Sequence, residues 1–262
     1  MKQMTVGLTY DLKDTYLAMG YDQEDVAEFD SKESIDALEA AIQANGYKTR
    51  RIGSAIDLTE YLVRKQKKSV DFIFNICEGI SGDQRESEVP LLCEMYGIPF
   101  TFSSSVLTAI SLNKYLMKML AKDHGIPTTP SAVITNLDEL YGYFDDWAIT
   151  FPAFIKPTFG GSSIGVNESS RCEDAKQLIQ QAEILFERYQ NLLVEPYLCG
   201  EEYTVGILGK GNDAKVVGSV NVKSKTNAIA YTYADKKDLE YVNYTDTQDP
   251  KAVICENLAL NL

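Results

Sequence analysis

Phe154–Val166 reads FIKPTFGGSSIGV. The apolar run up to Lys156 fits a strand, and Gly160-Gly161-Ser162-Ser163 then interrupts it. Two readings fit this pattern. In one, Lys156 meets a phosphate as a point charge, while the glycines let main-chain N–H groups approach the anion and the serines add hydroxyl donors. Gly165 then returns the chain. In the other, Gly-Gly is an ordinary hairpin turn between two strands. A Walker A loop is excluded, because the lysine precedes the glycines rather than closing them.

Towards the C-terminus, Glu173–Tyr189 is amphipathic with a helical period. Leu192–Val205 follows as LLVEPYLCGEEYTV. Pro196 has no N–H and cannot continue a simple strand, so the groups around it are available to the edge of a base. Glu202, seven residues after Glu195, is placed to accept from ribose hydroxyls. The plainer alternative is two strands joined by a glycine turn, with solvated glutamates. Leu192–Glu195, Glu202–Gly209 and Lys215–Lys223 predict an antiparallel sheet in a separate lobe, and Pro250–Leu262 predicts a helix. Upstream, Lys114 heads a helix over Asn113–His124 that also carries Lys118 and Lys122 at i+4 spacing. Lys114 is a candidate ligand, whereas Lys118 and Lys122 read as a solvated basic face. Ser131–Ile134, a helix over Leu137–Asp146 and Phe151–Lys156 complete this part.

The first third alternates strand and helix. Met4–Tyr10, Tyr47–Ile52, Val70–Ile76 and Ile98–Phe102 are strand-like. Between them lie a helix capped by Asp30 with Glu33 and ending at Gly46, a helix over Leu58–Lys67, and one over Glu86–Tyr96 ending at Gly97. That order predicts βαβ units, a parallel sheet, and ligands beyond the carboxyl ends of its strands. The loop Gly79–Glu88 lies on that side with Asp83, Arg85 and Glu86. The Arg85 fork suits a carboxylate, and Glu86 equally suits the start of the next helix.

Composition bounds the function. The 262 residues carry 25 basic and 38 acidic side chains, a net charge of −13, which disfavours broad binding to nucleic acid or to a membrane surface. Five scattered cysteines without a CxxC pair read as reduced thiols, and one histidine, His124, cannot build a multi-histidine metal site. The start MKQMTVGLTYDLKD lacks a signal-peptide core, and no apolar run approaches the roughly 18 residues of a membrane span. A cytoplasmic protein is expected.

Four pieces, EGISGDQRESEVPLLCEMYGIPFTFSS, SLNKYLMKML, KPTFGGSSIGV and VEPYLCGEEYTVGIL, together resemble the ATP-grasp superfamily, and within it the D-alanine–D-alanine ligases. The resemblance covers nearly the whole chain. It implies an α/β fold: a parallel-sheet domain over residues 1–112, a central ATP-grasp lobe over 113–190 bearing the phosphate loop, and the start of a C-terminal lobe over 191–262, with ATP held between the lobes. It implies that Lys114 and Lys156 hold the α- and β-phosphates and that Ser162 and Ser163 lie in the loop over the triphosphate. Glu195, Pro196, Tyr197 and Leu198 become the adenine hinge, and Glu202 the ribose ligand. In AIAYTYADKKDLEYVNY, Lys236 matches the lysine that reaches the γ-phosphate, with Lys237 the alternative for that role. Lys236, Ser162 and Arg85 are the expected catalytic set. ATP and Mg²⁺ are the expected cofactors, amino acids the substrates, and a homodimer a possible assembly.

The departures from that family are specific. GLTYDLKD lacks the glutamate that receives the substrate ammonium, for which Glu28 is the candidate substitute. Cys77-Glu78-Gly79 and Gly82-Asp83-Gln84-Arg85-Glu86 replace a histidine and an acidic pair. The family's Arg-x-Asp and Glu-x-Asn metal-binding elements are not matched, and Glu256-Asn257 has the wrong spacing, so the metal ligands are expected beyond Leu262. The alternatives are therefore a ligase for another amino-acid pair or peptide, or a non-catalytic ATP-binding module.

Overall fold

The computed structural model describes residues 3–64, 69–146, 149–222, 242–244 and 249–261. The chain divides into two compact units, Met1–Asn113 and Lys114–Leu262. In the first, β1 (Thr5–Tyr10), β2 (Lys48–Gly53) and β3 (Phe72–Ile76) form a parallel sheet in the order β2-β1-β3. The helices are α1 (Lys13–Ala18), α2 (Lys32–Ala44), α3 (Ala55–Val63), α4 (Glu88–Tyr96) and α5 (Ser105–Ser111). Ile73 of β3 packs with Leu58 and Leu62 of α3 and with Val89 and Cys93 of α4, which is why those helices lie on the sheet. A capping box between Ser54 and Asp57 starts α3. Gly97, at φ 60°, ends α4 as its position in the sequence predicts.

Two local expectations fail. Helix α2 is capped by Ser31, whose hydroxyl accepts from the Ser34 N–H, while Asp30 gives its main-chain groups to Asp11 and Lys13. Ile98–Phe102 is not a strand. Pro99 has no N–H for a ladder, Phe100 makes a single bridge to Ile73, and Phe102 adopts a left-handed φ of 70°.

The second unit opens with α6 (Lys114–Asp123), β4 (Ala132–Ile134) and α7 (Leu137–Asp146). Then come β5 (Ala153–Pro157), β6 (Arg171–Cys172), α8 (Ala175–Phe186) and β7 (Leu192–Pro196). The four strands form an antiparallel sheet in the order β4-β7-β5-β6. Leu192–Glu195, expected in the later lobe, is thus the partner of β5. Its Leu192 and Val194 complete the core under α8 with Ile155, Leu178 and Ala182. A second antiparallel sheet holds β8 (Glu202–Leu208), β9 (Lys215–Val222) and β10 (Val242–Tyr244) in the order β10-β9-β8. Helix α9 (Pro250–Leu260) is tied to it by Ser219, which donates to Glu256 at 2.8 Å. No described helix is long and apolar enough to cross a membrane, and all five cysteines are free.

Alternation in β5 decides what faces where. Ala153 and Ile155 are fully buried, so Phe154 and Lys156 occupy the other face. Because β5 pairs antiparallel with β6, residues 158–170 form one broad return. Ser162 and Ser163 there have φ of 46° and 60°, and Gly160 and Gly165 have 89° and 70°. A Cβ on Gly165 would lie 2.5 Å from Pro157 Cγ, whereas one on Gly160 would meet nothing within 4 Å. Gly165→Ala is therefore expected to lower the urea-unfolding free energy by about 2–3 kcal/mol, and Gly160→Ala by about 1, the cost of the dihedral alone. Equal losses would contradict this packing.

Candidate functional site

The second unit contains a cavity of about 750 Å³, within the size range of small-molecule sites. Lys114 and Lys118 line it from α6, Phe154 and Lys156 from β5, and Glu195 from β7. Residues 196–202, the turn between β7 and β8, close it. The register explains the grouping: Glu195 lies opposite Phe154, so Lys156 is its diagonal neighbour on the same face.

Glu195 is the electrostatic centre. Its Oε1 is 2.6 Å from Lys156 Nζ, and its Oε2 is 2.5 Å from Lys118 Nζ. Burial pushes this carboxyl up, but Lys156 and Lys118 outweigh that and hold it below the usual glutamate range. Lys156 also stands 5.5 Å from the centroid of the Phe154 ring, and Arg171 lies 4.8 Å from that of Tyr197. Lys114 has another task. Its ammonium donates to the carbonyls of Pro157, Phe159 and Gly160 at 3.0, 3.2 and 2.8 Å, and its N–H donates to Thr158 at 2.9 Å. It thus fastens the start of α6 to the segment that enters the Gly-Gly turn.

The placement of the expected residues is uneven. Lys114, Lys156, Glu195, Pro196, Tyr197, Leu198 and Glu202 all line the one cavity, and Ser162 and Ser163 do not. Lys236 lies outside the described residues. Lys118, expected on a solvated face, points inward to Glu195; its i+4 relation to Lys114 put both on one side of α6, and that signal was available. Thr129, which donates to Glu195 Oε2 at 3.0 Å, had no signal in the sequence.

Arg85 belongs to the first unit and forms an ion pair with Glu28, both side chains being largely buried. Glu28, Glu78 and Glu86 bring carboxylate oxygens within 4.8 Å of one another. Asp11, after β1, accepts the N–H groups of Glu78 and Gly79 at 3.1 and 3.0 Å and the Tyr16 hydroxyl at 2.7 Å, which shapes the loop. A Cβ on Gly79 would lie 2.8 Å from the Arg85 carbonyl oxygen, so this glycine permits the close turn. Burial and the neighbouring carboxylates of Glu86 and Glu28 raise Glu78 to about 8, against a smaller opposing effect of Arg85.

The fold is that of the ATP-grasp ligases. The chain resembles the crystal structure of VanG D-Ala:D-Ser ligase from Enterococcus faecalis, with a TM-score of 0.69 at 17% identity, over 99% of this chain and 82% of that one. It also resembles D-alanine–D-alanine ligase from Bacillus anthracis complexed with ATP, with a TM-score of 0.62 at 21% identity, over 98% and 75%. Residues 120–258 match the family described as D-ala D-ala ligase C-terminus. The chain belongs to the D-alanine–D-alanine ligase family. It is 32% identical to the D-alanine–D-alanine ligase of Glaesserella parasuis over 188 residues, 70% of this chain and 56% of that protein. Against the enzyme of Bacillus cytotoxicus it is 25% identical over 228 residues, 84% and 61% respectively. The chain spans about half to three-fifths of the length of such curated relatives.

The Glu78 cluster generates a pH dependence. Below the ordinary glutamate range both folded and unfolded chains carry this proton, and between that range and about 8 only the folded chain does. Folding then takes up a proton, so stability falls as pH rises through that window. The urea midpoint of the first unit's unfolding should decline from pH 5.5 to 8, and Glu78→Gln should flatten the decline. An unchanged slope in the variant would contradict the assignment.

Proposed function

We propose that this chain binds ATP in the cavity of its second unit and serves an ADP-forming carboxylate–amine ligase that joins two amino acids, with D-alanyl-D-alanine as the leading product. The observation that carries the reading is that three lysines, a hinge interrupted by proline, and a glutamate at the start of β8 line one cavity. In this reading Lys156 and Lys114 serve the α- and β-phosphates, Lys114 exchanging the carbonyls it holds for phosphate oxygens; Ser162 and Ser163 cover the triphosphate from the neighbouring loop, and Glu202 accepts from the ribose. Pro196 has no N–H, and that of Tyr197 is given to the Pro152 carbonyl at 2.8 Å, so the adenine edge is met from Leu198 onward. Lys236 is assigned to the γ-phosphate.

The chemistry is carboxylate activation. A carboxylate oxygen takes the γ-phosphoryl group and releases ADP; a free amine attacks the acyl phosphate carbon, and inorganic phosphate leaves as the amide forms. Positive charge and main-chain donors stabilise the transferring group, so an acid–base pair is not required. Mg²⁺ would neutralise triphosphate charge when bound. Among the described residues, the grouping of three carboxylates is Glu28, Glu78 and Glu86 in the first unit, where Arg85 already sits. The described residues of the second unit bring no such group of carboxylates together and so do not fit the metal.

The substrate itself has a second reading, an amino acid other than D-alanine. It is favoured by the pairing of Glu28 with Arg85, which leaves that glutamate already engaged by a cation. A cytoplasmic homodimer completes the proposal; Leu91, Met95, Val106 and Leu107 on α4 and α5 expose apolar side chains suited to self-association.

The test is phosphate release from ATP with Mg²⁺ and a panel of D- and L-amino acids, alongside calorimetric titration of ATP. Lys156→Ala is expected to weaken ATP binding by about tenfold or more, the loss of one charge-assisted contact. Unchanged affinity in that variant would overturn the phosphate assignment. Phosphate release that no amino acid stimulates would overturn the ligase reading in favour of an ATP-binding module.

A further inference from the structure

Both carboxylate oxygens of Glu195 are occupied. Oε1 accepts from Lys156 at 2.6 Å; Oε2 accepts from Lys118 at 2.5 Å and from the Thr129 hydroxyl at 3.0 Å. Lys118 donates to Thr129 Oγ1 as well, at 2.6 Å, so it is anchored twice. The Glu195 side chain is 12% exposed, and those of Lys118 and Lys156 are 18% and 22% exposed. The group therefore carries one net positive charge, assembled from α6, the segment after Pro127, β5 and β7.

This arrangement poses a problem for an incoming polyphosphate. If Lys156 turns to the phosphates, Glu195 loses the partner of Oε1 while a polyanion arrives beside it. A largely buried carboxylate left uncompensated is strongly unfavourable, so Lys156 would be held back unless another cation stayed with Glu195. Lys118 is that cation, and Thr129 keeps it in place. We propose that Lys118 is a positioning residue for phosphate binding: it covers the charge of Glu195 when Lys156 is drawn to the phosphates, and so acts through Glu195 rather than on the nucleotide. This inference rests on the reading that ATP binds in this cavity.

The test is isothermal titration of the full chain with ATP and, separately, with adenosine, for the wild type, Lys118→Met, Lys118→Arg, Glu195→Gln and the double variant Lys118→Met/Glu195→Gln. Lys118→Met is expected to weaken ATP about tenfold, the equivalent of 1.4 kcal/mol, while adenosine changes less than about threefold. Lys118→Arg should restore ATP affinity. In the double variant no carboxylate remains to be covered, so most of the lost ATP affinity should return, a non-additivity that a direct contact between Lys118 and phosphate does not produce. Glu195→Gln alone sets the reference for the double variant: adding Lys118→Met to it should change ATP affinity less than about threefold.

Equal losses for ATP and adenosine in Lys118→Met, or a double variant as weak as that single one, would overturn the inference. A wild type that binds ATP while Lys118→Met matches it overturns this inference alone. A wild type that binds neither ligand overturns the nucleotide reading together with it.

Discussion

A single, largely buried carboxylate organises the cavity of the second unit. Glu195 sits at the end of a strand whose preceding residues are fully apolar, and it stays ionised because two ammonium groups reach it from different elements. Each contact depends on the sheet. The strand period places Lys156 on the face opposite Ile155, and antiparallel register sets Glu195 diagonally across from it. A slip of one residue in that pairing would turn Glu195 into the core and leave two lysines facing each other.

The loop that follows β5 is held by a different device. Lys114 uses its ammonium to gather three carbonyls, which leaves the Gly160–Gly165 segment shaped by its own positive-φ residues and two short turns. In the first unit Asp11 plays the complementary part, gathering two N–H groups of the Glu78–Gly79 turn on one carboxylate. In both units a residue at the edge of an element uses full charge to fix a glycine-bearing loop, because such loops bury little apolar surface of their own.

Much of this was legible in the sequence, and the reasons differ by element. Strand β5 and the helix stop at Gly97 were readable because local rules decide them: alternation in the one, a left-handed glycine in the other. The cap of α2 falls one residue later than expected, since Asp30 and Ser31 are both good caps and only the main-chain bonds of Asp30 to Asp11 and Lys13 separate them. The different sheet taken by Leu192–Glu195 has a similar origin: an apolar strand announces burial but not its partner. The i+4 spacing from Lys114 marks the face of α6 that Lys118 shares, but a lysine there is usually solvated, and nothing local shows that Glu195 and Thr129 lie within reach. Resemblance supplies the roles expected of the site residues, while the structure supplies the network that connects Lys118, Lys156 and Glu195.

The central claim is that the cavity walled by Lys156, Glu195 and the turn after β7 is where nucleotide binds. Amide hydrogen exchange of the intact chain with and without ATP tests it most directly. The account predicts slower exchange over residues 158–166 and 197–202 when ATP is present, with β2 and α3 unchanged. Exchange that slows only within the first unit, or nowhere at saturating ATP, would contradict it.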